Sequence, residues 1–225
     1  MFEPAPELAA RPVPRATSTP VTAITATTAS ASAWVQRWSH LVAPGARVLD
    51  VACGAGRHVH WFAQRGCHLT GVDRDPAARA LADCAEVVIA DIEAGAWPLE
   101  GRRFDAVIVT NYLWRALLPT LLASLDVGGV LIYETFAAGN ETVGKPSNPA
   151  FLLLPGELLN AAAGLRVLAF EDGFEPAQAH AAPRFVQRIV AVRAPGDAGT
   201  PPRYSLQPPA HETPQVKSAD SKGLA

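Results

Sequence analysis

Short apolar runs alternate with segments of helical periodicity through the middle of the chain. Seven of these runs have the length of strands and are rich in β-branched residues. Several are continuously apolar, as strands buried on both faces of a sheet are. They lie at 47–51, 68–73, 86–90, 105–110, 130–134, 166–170 and 185–192. Their alternation with helical segments predicts an α/β fold built on a doubly wound, mostly parallel, seven-stranded sheet.

The helical segments lie between and before these runs. They begin near Ala55, Pro76, Trp114 and Pro155, and a fifth segment, 32–41, precedes the first strand. In the helix after the first strand, Val59, Phe62 and Ala63 are spaced as an inward-facing stripe. Gly66 then provides a residue suited to the left-handed conformation that ends many helices. That helix is expected to start directly out of a glycine-rich turn.

The connection before the last strand does not have a helical pattern. Residues 171–184 contain Gly173, Pro176 and Pro183 and no convincing apolar stripe. A parallel return to the sheet normally needs a crossover helix. The last strand is therefore expected to be antiparallel, lying beside or between the preceding strands.

The two ends of the chain differ in composition from its middle. Residues 1–30 are dominated by Ala, Pro, Ser and Thr, and the end from residue 195 contains two Pro-Pro pairs. Such segments bury too little apolar surface to offset the entropy lost on folding. We expect 1–30 and 195–225 to be disordered and 31–194 to form one domain. The alternative for the start is a transit peptide, which its acidic residues and the lack of an Arg-rich pattern oppose.

Charge and cysteine content indicate which binding partners and which cellular compartment suit the protein. The chain has 19 basic and 21 acidic residues, and no basic cluster typical of a nucleic-acid-binding surface. Its three cysteines form no Cys-x-x-Cys pair and are too few for a disulfide framework. No apolar run approaches the roughly 20 residues of a membrane span. The sequence therefore predicts a cytoplasmic protein without a membrane partner, and it gives no support for a nucleic-acid partner.

Two glycines follow the first predicted strand. Gly54 and Gly56 let the backbone turn sharply and approach a ligand closely. Asp50 opens this turn, and Asp73 ends the next strand, where a carboxylate can accept hydrogen bonds from both hydroxyls of a ribose. A dinucleotide-binding fingerprint would need a third glycine where Val59 stands. The structural alternative is a plain strand-to-helix turn, with Asp73 only capping the following helix.

A third carboxylate follows the third predicted strand. Asp91, itself followed by Ile92, completes a set of acidic residues at the ends of three successive strands. In open α/β sheets, the carboxyl ends of such strands surround one ligand-binding crevice. A simple turn or cap role for Asp91 is the alternative.

Five segments together resemble the motif series of class I S-adenosylmethionine-dependent methyltransferases. They are 48–57, 71–73, 90–92, 104–105 and 110–112. The resemblance covers roughly 32–193 and implies a Rossmann-like methyltransferase fold whose last strand is antiparallel. Within the superfamily, the segments CGAGRH at 53–58 and GKPSNP at 144–149 are most similar to small bacterial enzymes of the tellurite-resistance type.

The resemblance implies S-adenosylmethionine as the cofactor and assigns positions along it. Asp50 is expected near its amino-acid end, with Arg37 meeting its carboxylate, and Asp73 on its ribose. Asp91 and Ile92 are expected beside its adenine. The full expected cofactor set is Arg37, Asp50, Ala52, Gly54, Gly56, Asp73, Arg74, Asp91, Ile92 and Asn111.

The acceptor side is expected around the fourth strand end and the long connection after the fifth strand. Asn111 and Tyr112 stand where the family's active-site motif lies. The residues expected to shape the acceptor pocket are Tyr112, Tyr133, Glu134, Asn140, Lys145 and Asn148. For 135–154, the alternative is an ordinary surface loop. The absence of an Asn/Asp-Pro-Pro-Tyr/Phe segment disfavours methylation of base amino groups and leaves a small molecule as the expected acceptor.

Methyl transfer from a sulfonium needs few catalytic side chains. If the acceptor is an alcohol or an amine, the candidate bases are Tyr112, Glu134 and His58. His58 either faces the cofactor or points to solvent. His58 and His60 stand on different faces of a helix, so no metal site is expected. A noncatalytic S-adenosylmethionine-binding protein and an NAD(P)-dependent oxidoreductase remain as alternatives.

Overall fold

A computed structural model describes residues 30–178, 181–196 and 202–208 of the chain. The strands are β1 (Arg47–Val51), β2 (His68–Asp73), β3 (Glu86–Ile89), β4 (Phe104–Thr110), β5 (Leu125–Phe136), β6 (Arg166–Glu175) and β7 (Arg184–Val192). The α-helices are α1 (Ala33–Trp38), α2 (Arg57–Ala63), α3 (Leu118–Ala123) and α4 (Glu157–Ala161). Short 3-10 helices occupy Ser39–Leu41, Pro76–Leu81, Arg115–Leu117, Asn140–Thr142 and Pro149–Phe151.

The seven strands form one sheet in the order β3-β2-β1-β4-β5-β7-β6. Strands β1 to β5 pair in parallel, whereas β7 lies antiparallel between β5 and β6. This confirms the predicted α/β fold class and the antiparallel last strand. From β1 to β3 each new strand is added on one side of β1, whereas β4 is added on its other side. The strand order therefore reverses at β1. That reversal opens a crevice at the carboxyl ends of β1 and β4, where ligands bind in this class of sheet.

Alternate residues of the strands bury two separate apolar layers. In β5, Val130 and Ile132 face a layer that also contains Trp38 and Phe62 from the α1 and α2 region. The intervening Leu131 and its neighbours on the same face pack in the second layer, towards α3 and α4. The period of two along the strands thus places helices on both faces of the sheet.

Several elements differ from the sequence-based assignments, among them β5, which starts at Leu125 and not at residue 130. Pro76–Leu81 is a 3-10 helix instead of an α-helix. Asp75 caps its start, because the Asp75 carboxylate accepts a hydrogen bond from Ala77 N at 2.8 Å. The hairpin of β6 and β7 is also longer than predicted. It is extended by a cross-strand pair of rings, Phe174 and Phe185, whose centroids lie 4.9 Å apart, and by the Arg184–Glu175 ion pair at 2.7 Å.

Most of the two segments expected to be disordered lies outside the described residues. Within the C-terminal one, 202–208 is described and contacts the domain. The guanidinium of Arg166 lies 5.8 Å from the ring centroid of Tyr204, and His40 Nε2 lies 3.0 Å from the Ser205 carbonyl oxygen. Among the described helices, none has the length and apolar character needed to cross a membrane.

Candidate functional site

Two adjoining cavities open at the carboxyl ends of the parallel strands. The first, about 250 Å³, is lined by the turn after β1, the start of α2 and the end of β4. The second, about 190 Å³, is lined by residues that follow β2, β3 and β4. Ala52 lines both cavities, so they form one crevice along the edge of the sheet. The sequence-predicted residues in this crevice are Ala52, Gly54, His58, Asp73, Arg74, Asp91, Ile92, Asn111 and Tyr112.

The turn after β1 has left-handed backbone at alternate residues. Ala52, Gly54 and Gly56 have φ values of 54°, 52° and 76°. Gly56 N closes the turn with a hydrogen bond to Cys53 O at 2.9 Å. Ala52 adopts a conformation that costs a residue with a Cβ roughly 1–2 kcal/mol. The turn therefore holds strained backbone where it lines the crevice.

The two glycines of the turn are expected to respond differently to a methyl group. A Cβ on Gly56 would lie 2.3 Å from Leu81 Cδ2 in the buried core, whereas the same atom on Gly54 would meet no described atom within 4 Å. Gly56→Ala is expected to lower the free energy of unfolding by roughly 2–4 kcal/mol, since overpacking adds to the backbone strain. Gly54→Ala should cost about 1 kcal/mol and act mainly on ligand binding. Urea denaturation of both variants measures the difference, and equal losses would contradict this packing.

Asp50 lies beneath the turn and is almost fully buried. Its Oδ2 has no hydrogen-bond partner among the described residues. Burial raises the pKa of this carboxyl group to about 7, against an opposing effect of the Arg57 charge. A buried carboxylate oxygen without a partner is costly, so Oδ2 is suited to receive a cationic group of a ligand.

His58 lies beside Asp50, with its Nδ1 at 3.9 Å from Asp50 Oδ1. Its Nε2 accepts a hydrogen bond from Ser32 N at 3.2 Å, which joins the start of α1 to α2. Burial and the Arg57 charge lower the pKa of His58 to about 3, so its imidazole is neutral. The residue is 2% exposed, which rules out the solvent-facing alternative.

The carboxylates after β2 and β3 line the second cavity. Asp73 Oδ2 accepts a hydrogen bond from Gly54 N at 2.7 Å, and its Oδ1 accepts one from Asp75 N at 2.8 Å. Asp91 Oδ1 accepts hydrogen bonds from Glu93 N and Ala94 N, and these hold the pKa of Asp91 below its usual range. Both carboxylates therefore stabilise local turns and also line the crevice. The turn role given as the alternative for Asp91 is observed, whereas the cap of the helix after β2 is Asp75 and not Asp73.

The sequence of this region matches a known protein family. Residues 48–129, from β1 into β5, match a family described as a methyltransferase domain. This part of the chain is therefore similar in sequence to methyltransferase domains. No curated protein sequence matched the chain.

Solved structures of methyltransferases share this architecture at low sequence identity. TehB from Haemophilus influenzae superposes with a TM-score of 0.57 at 16% identity, over 69% of this chain and 59% of that one. A SAM-dependent methyltransferase from Methanosarcina mazei superposes with a TM-score of 0.57 at 13% sequence identity, over 74% of this chain and 99% of the other. N-methyltransferase NodS from Bradyrhizobium japonicum superposes with a TM-score of 0.55 at 15% sequence identity, over 72% of this chain and 94% of the NodS chain. The chain thus spans little more than half of the TehB structure.

The fold is that of class I S-adenosylmethionine-dependent methyltransferases. The crevice has features that would suit S-adenosylmethionine, the cofactor that this resemblance implies. The unpartnered Asp50 Oδ2 can receive its ammonium group, and the open space over Gly54 leaves room for its chain. Asp73 and Asp91 line the cavity in which a ribose and an adenine would lie.

Three predicted cofactor residues do not line the crevice: Asp50 and Gly56 lie under or within the turn beside it, whereas Arg37 is turned away from it. Its guanidinium makes an ion pair with Glu171 at 3.3 Å, and its side chain is about half exposed. It also lies 5.1 Å from the centroid of the Trp38 ring. Sequence reasoning did not assign Arg57, which lines the first cavity. Its position directly after Gly56, at the start of the helix that leaves the turn, could have indicated that it faces the crevice.

The predicted acceptor residues do not gather at one place. Tyr112 lines the crevice, and Lys145 and Glu134 line a cavity of about 480 Å³ next to the start of α1. Tyr133 Oη donates to Tyr112 O at 2.8 Å and so joins β5 to the segment after β4. Asn140 Nδ2 donates to Pro146 O at 2.9 Å, and Asn148 Oδ1 accepts from Ala150 N at 3.0 Å. The last two side chains therefore support the connection after β5.

Glu134 is buried in a network of arginines. Its Oε2 accepts a hydrogen bond from Arg188 Nε at 2.5 Å and lies 3.7 Å from Arg184 Nη2. Arg188 also pairs with Glu171 and Glu175 of β6. The Glu134 carboxylate thus joins β5 to the β6 and β7 hairpin at the edge of the acceptor side.

Another cavity, about 790 Å³, lies at the opposite edge of the sheet. It is open and lined by charged residues that pair with one another. Arg47 pairs with Asp105 at 2.8 Å and with Asp126 at 2.7 Å, and Arg102 pairs with Glu86 at 2.8 Å. These ion pairs join neighbouring strands at their amino ends, away from the edge at which such sheets bind ligands.

Proposed function

We propose that the chain transfers a methyl group from S-adenosylmethionine to a small-molecule acceptor. One observation carries the proposal: the cofactor crevice continues into a small, bounded space beside Asn111 and Tyr112. This further cavity, about 320 Å³, is lined by the end of β4, the end of β5 and residues of the connection after it. Its volume lies in the range of pockets that bind small ligands.

The connection after β5 supports the small-molecule proposal because it is tied to the domain. Arg115 donates to the carbonyl oxygens of Ala150 and Leu152 at 2.7 Å each, and pairs with both oxygens of Glu157. The Asn140 amide oxygen accepts from Phe185 N at 3.1 Å. A connection held at several points gives the acceptor side a defined wall, which suits a small acceptor better than an extended polymer.

The chemistry asks mainly for alignment of the reacting groups. The cofactor supplies an electrophilic methyl group on its sulfonium. The residues of this chain would fix the cofactor along the crevice, with Asp50 at its amino-acid end and Asp73 at its ribose. The end of β4 and the connection after β5 would place the nucleophile in line with the sulfur–methyl bond and exclude water.

The three candidate bases are poorly suited to remove a proton at neutral pH. His58 is neutral, but its Nε2 is occupied by Ser32 N and its lowered pKa makes it a weak base. Burial raises the pKa of Tyr112 well above its usual range, so its phenol stays protonated. Glu134 is held by Arg188. These features support an acceptor whose nucleophile is reactive without a protein base.

Substitution of the candidate bases tests this part of the proposal. His58→Gln and Tyr112→Phe are expected to keep kcat within about threefold of the wild type. Loss of a general base would lower kcat roughly 100-fold or more. Initial rates with the accepted substrate and saturating S-adenosylmethionine give the comparison. A 100-fold loss of kcat in either variant, with unchanged cofactor affinity, would identify that residue as the base.

Transfer itself is tested with S-adenosylmethionine carrying a labelled methyl group. The full chain is incubated with a panel of small thiols, amines, alcohols and chalcogen anions, and with tRNA and protein mixtures for comparison. Label is expected in a small molecule, and Asp73→Ala should lower it. Label found only in a macromolecule would contradict the small-molecule proposal. Cofactor binding with no transfer to any acceptor would favour a noncatalytic binding protein.

We also propose that the protein acts in the cytoplasm. Its three cysteines, Cys53, Cys67 and Cys84, are all free thiols. Free thiols suit a reducing compartment, in which disulfides rarely persist.

A further inference from the structure

Arg57 is a cation of the crevice without a carboxylate partner. It begins α2, directly after the turn. Its Nη2 donates to Thr110 Oγ1 at the end of β4, at 3.2 Å. No acidic group of the described residues comes within ion-pair distance of its guanidinium. The side chain lines the first cavity of the crevice and also the 480 Å³ cavity next to α1.

Arg57 and Asp50 give one end of the crevice a cation and an anion that are not paired with each other. Asp50 is buried below the turn with an unpartnered Oδ2. The Arg57 charge acts on Asp50, lowering the pKa of its carboxyl group against the effect of burial. An amino-acid group carries one ammonium and one carboxylate at neutral pH, so this pair of charges complements it.

Other cations near the crevice are placed differently. Arg74 lines the second cavity with Asp73 and Asp91, which is the ribose and adenine end. Arg184 pairs with Glu175 at 2.7 Å. Arg37, which the sequence had suggested for the cofactor carboxylate, pairs with Glu171 outside the crevice. Of the cations in the described part of the chain, Arg57 is therefore the one best placed at the amino-acid end.

We propose that Arg57 binds the carboxylate of the amino-acid end of S-adenosylmethionine. A guanidinium presents donors in a fixed fork that matches a carboxylate, and such charged hydrogen bonds are about twice as strong as neutral ones. The Thr110 hydroxyl keeps the guanidinium at the mouth of the first cavity. This inference rests on the proposed function, because it concerns the same cofactor.

Calorimetric titration with two ligands separates this role from a structural one. S-adenosylhomocysteine carries the amino-acid group, whereas 5′-methylthioadenosine keeps the adenine, ribose and thioether but lacks it. In Arg57→Gln, the Kd for S-adenosylhomocysteine is expected to rise about 10- to 100-fold. The Kd for 5′-methylthioadenosine should stay within twofold of the wild type. Arg57→Lys keeps the positive charge but lacks the forked donors of the guanidinium. Its Kd for S-adenosylhomocysteine should lie between those of the wild type and Arg57→Gln.

Two further variants serve as controls. Arg65→Gln removes a charge just beyond α2, where Arg65 lies over the Trp61 ring, and should leave both affinities unchanged. Arg37→Gln tests the earlier assignment. A loss of S-adenosylhomocysteine affinity in Arg37→Gln but not in Arg57→Gln would overturn the proposal.

The remaining outcomes also decide the question. Equal weakening of both ligands by Arg57→Gln would mean that Arg57 only supports the turn through Thr110, and would overturn the inference. Unchanged affinity for both ligands would overturn it as well. Failure of the wild type to bind S-adenosylhomocysteine at all would instead remove the proposed function, and this result is visible before any variant is compared.

Discussion

Asp50→Asn is expected to stabilise the unliganded protein at pH 8 and to weaken its binding of S-adenosylhomocysteine. Burial raises the pKa of Asp50 from 3.8 to about 7 in the folded state. The folded state therefore binds the proton more tightly than the unfolded state does. The ionised carboxylate lowers the free energy of unfolding progressively as the pH rises from about 4 to 7. Asparagine cannot ionise and avoids this loss.

The size of the effect follows from the pKa difference. At about 1.4 kcal/mol per pKa unit, the gain reaches at most about 4 kcal/mol above pH 7 and vanishes below pH 4. The buried His58 affects the pH dependence of stability in the opposite direction. Burial lowers its pKa from 6.5 to about 3, so its contribution to stability is lost as the pH falls below about 6.5. In Asp50→Asn this acid-side loss should remain.

Urea denaturation at pH 4 and pH 8 measures the stability change. Asp83→Asn, at an exposed carboxylate, is the matched control and should show little change. Calorimetry should then show an affinity for S-adenosylhomocysteine reduced tenfold or more, with 5′-methylthioadenosine affected little, because only the first ligand carries an ammonium. Asp50→Asn that is less stable than the wild type at pH 8 would contradict the description of Asp50 as a buried, unpartnered carboxylate.

Asp73→Ala is expected to weaken binding of both ligands by about 10- to 100-fold. A carboxylate that accepts hydrogen bonds from ribose hydroxyls contributes roughly 1.5–3 kcal/mol. S-adenosylhomocysteine and 5′-methylthioadenosine share the ribose, so their affinities should fall in parallel. This pattern differs from the one expected for Arg57 and Asp50, where only the amino-acid group matters.

A control is needed because Asp73 also accepts hydrogen bonds from Gly54 N and Asp75 N. Asp75→Ala removes the neighbouring cap, in which Asp75 accepts from Ala77 N, and leaves the Asp73 carboxylate in place. Both variants should lose some thermal stability, but only Asp73→Ala should lose ligand affinity. Wild-type affinity in a folded Asp73→Ala variant would remove the ribose assignment.

The sequence predicted those features that depend on local pattern. The bounds of β1 and β2 agree with the predictions, because β1 ends just before the glycine-rich turn and β2 lies between the polar residues His68 and Asp73. The turn after β1 was recognisable from Gly54 and Gly56, which can adopt left-handed backbone. The antiparallel β7 followed from the missing crossover helix before it.

Features that depend on contacts between distant residues were not predictable. The burial of His58 depends on Ser32, which lies 26 positions earlier in the chain. Arg37 could be assigned to the cofactor only while its partner Glu171, on β6, was unknown. The 3-10 form of Pro76–Leu81 was missed because an apolar spacing of three or four residues suits both helix types.

The central claim is that the crevice at the carboxyl ends of β1, β2 and β4 binds S-adenosylmethionine. Calorimetric titration of the full chain with S-adenosylmethionine, S-adenosylhomocysteine and NAD tests it most directly. The proposed site predicts saturable binding of the first two ligands and no detectable binding of NAD, since Val59 is packed in the core where a dinucleotide fingerprint has its third glycine. Binding of NAD in preference to S-adenosylhomocysteine, or no binding of either, would contradict it.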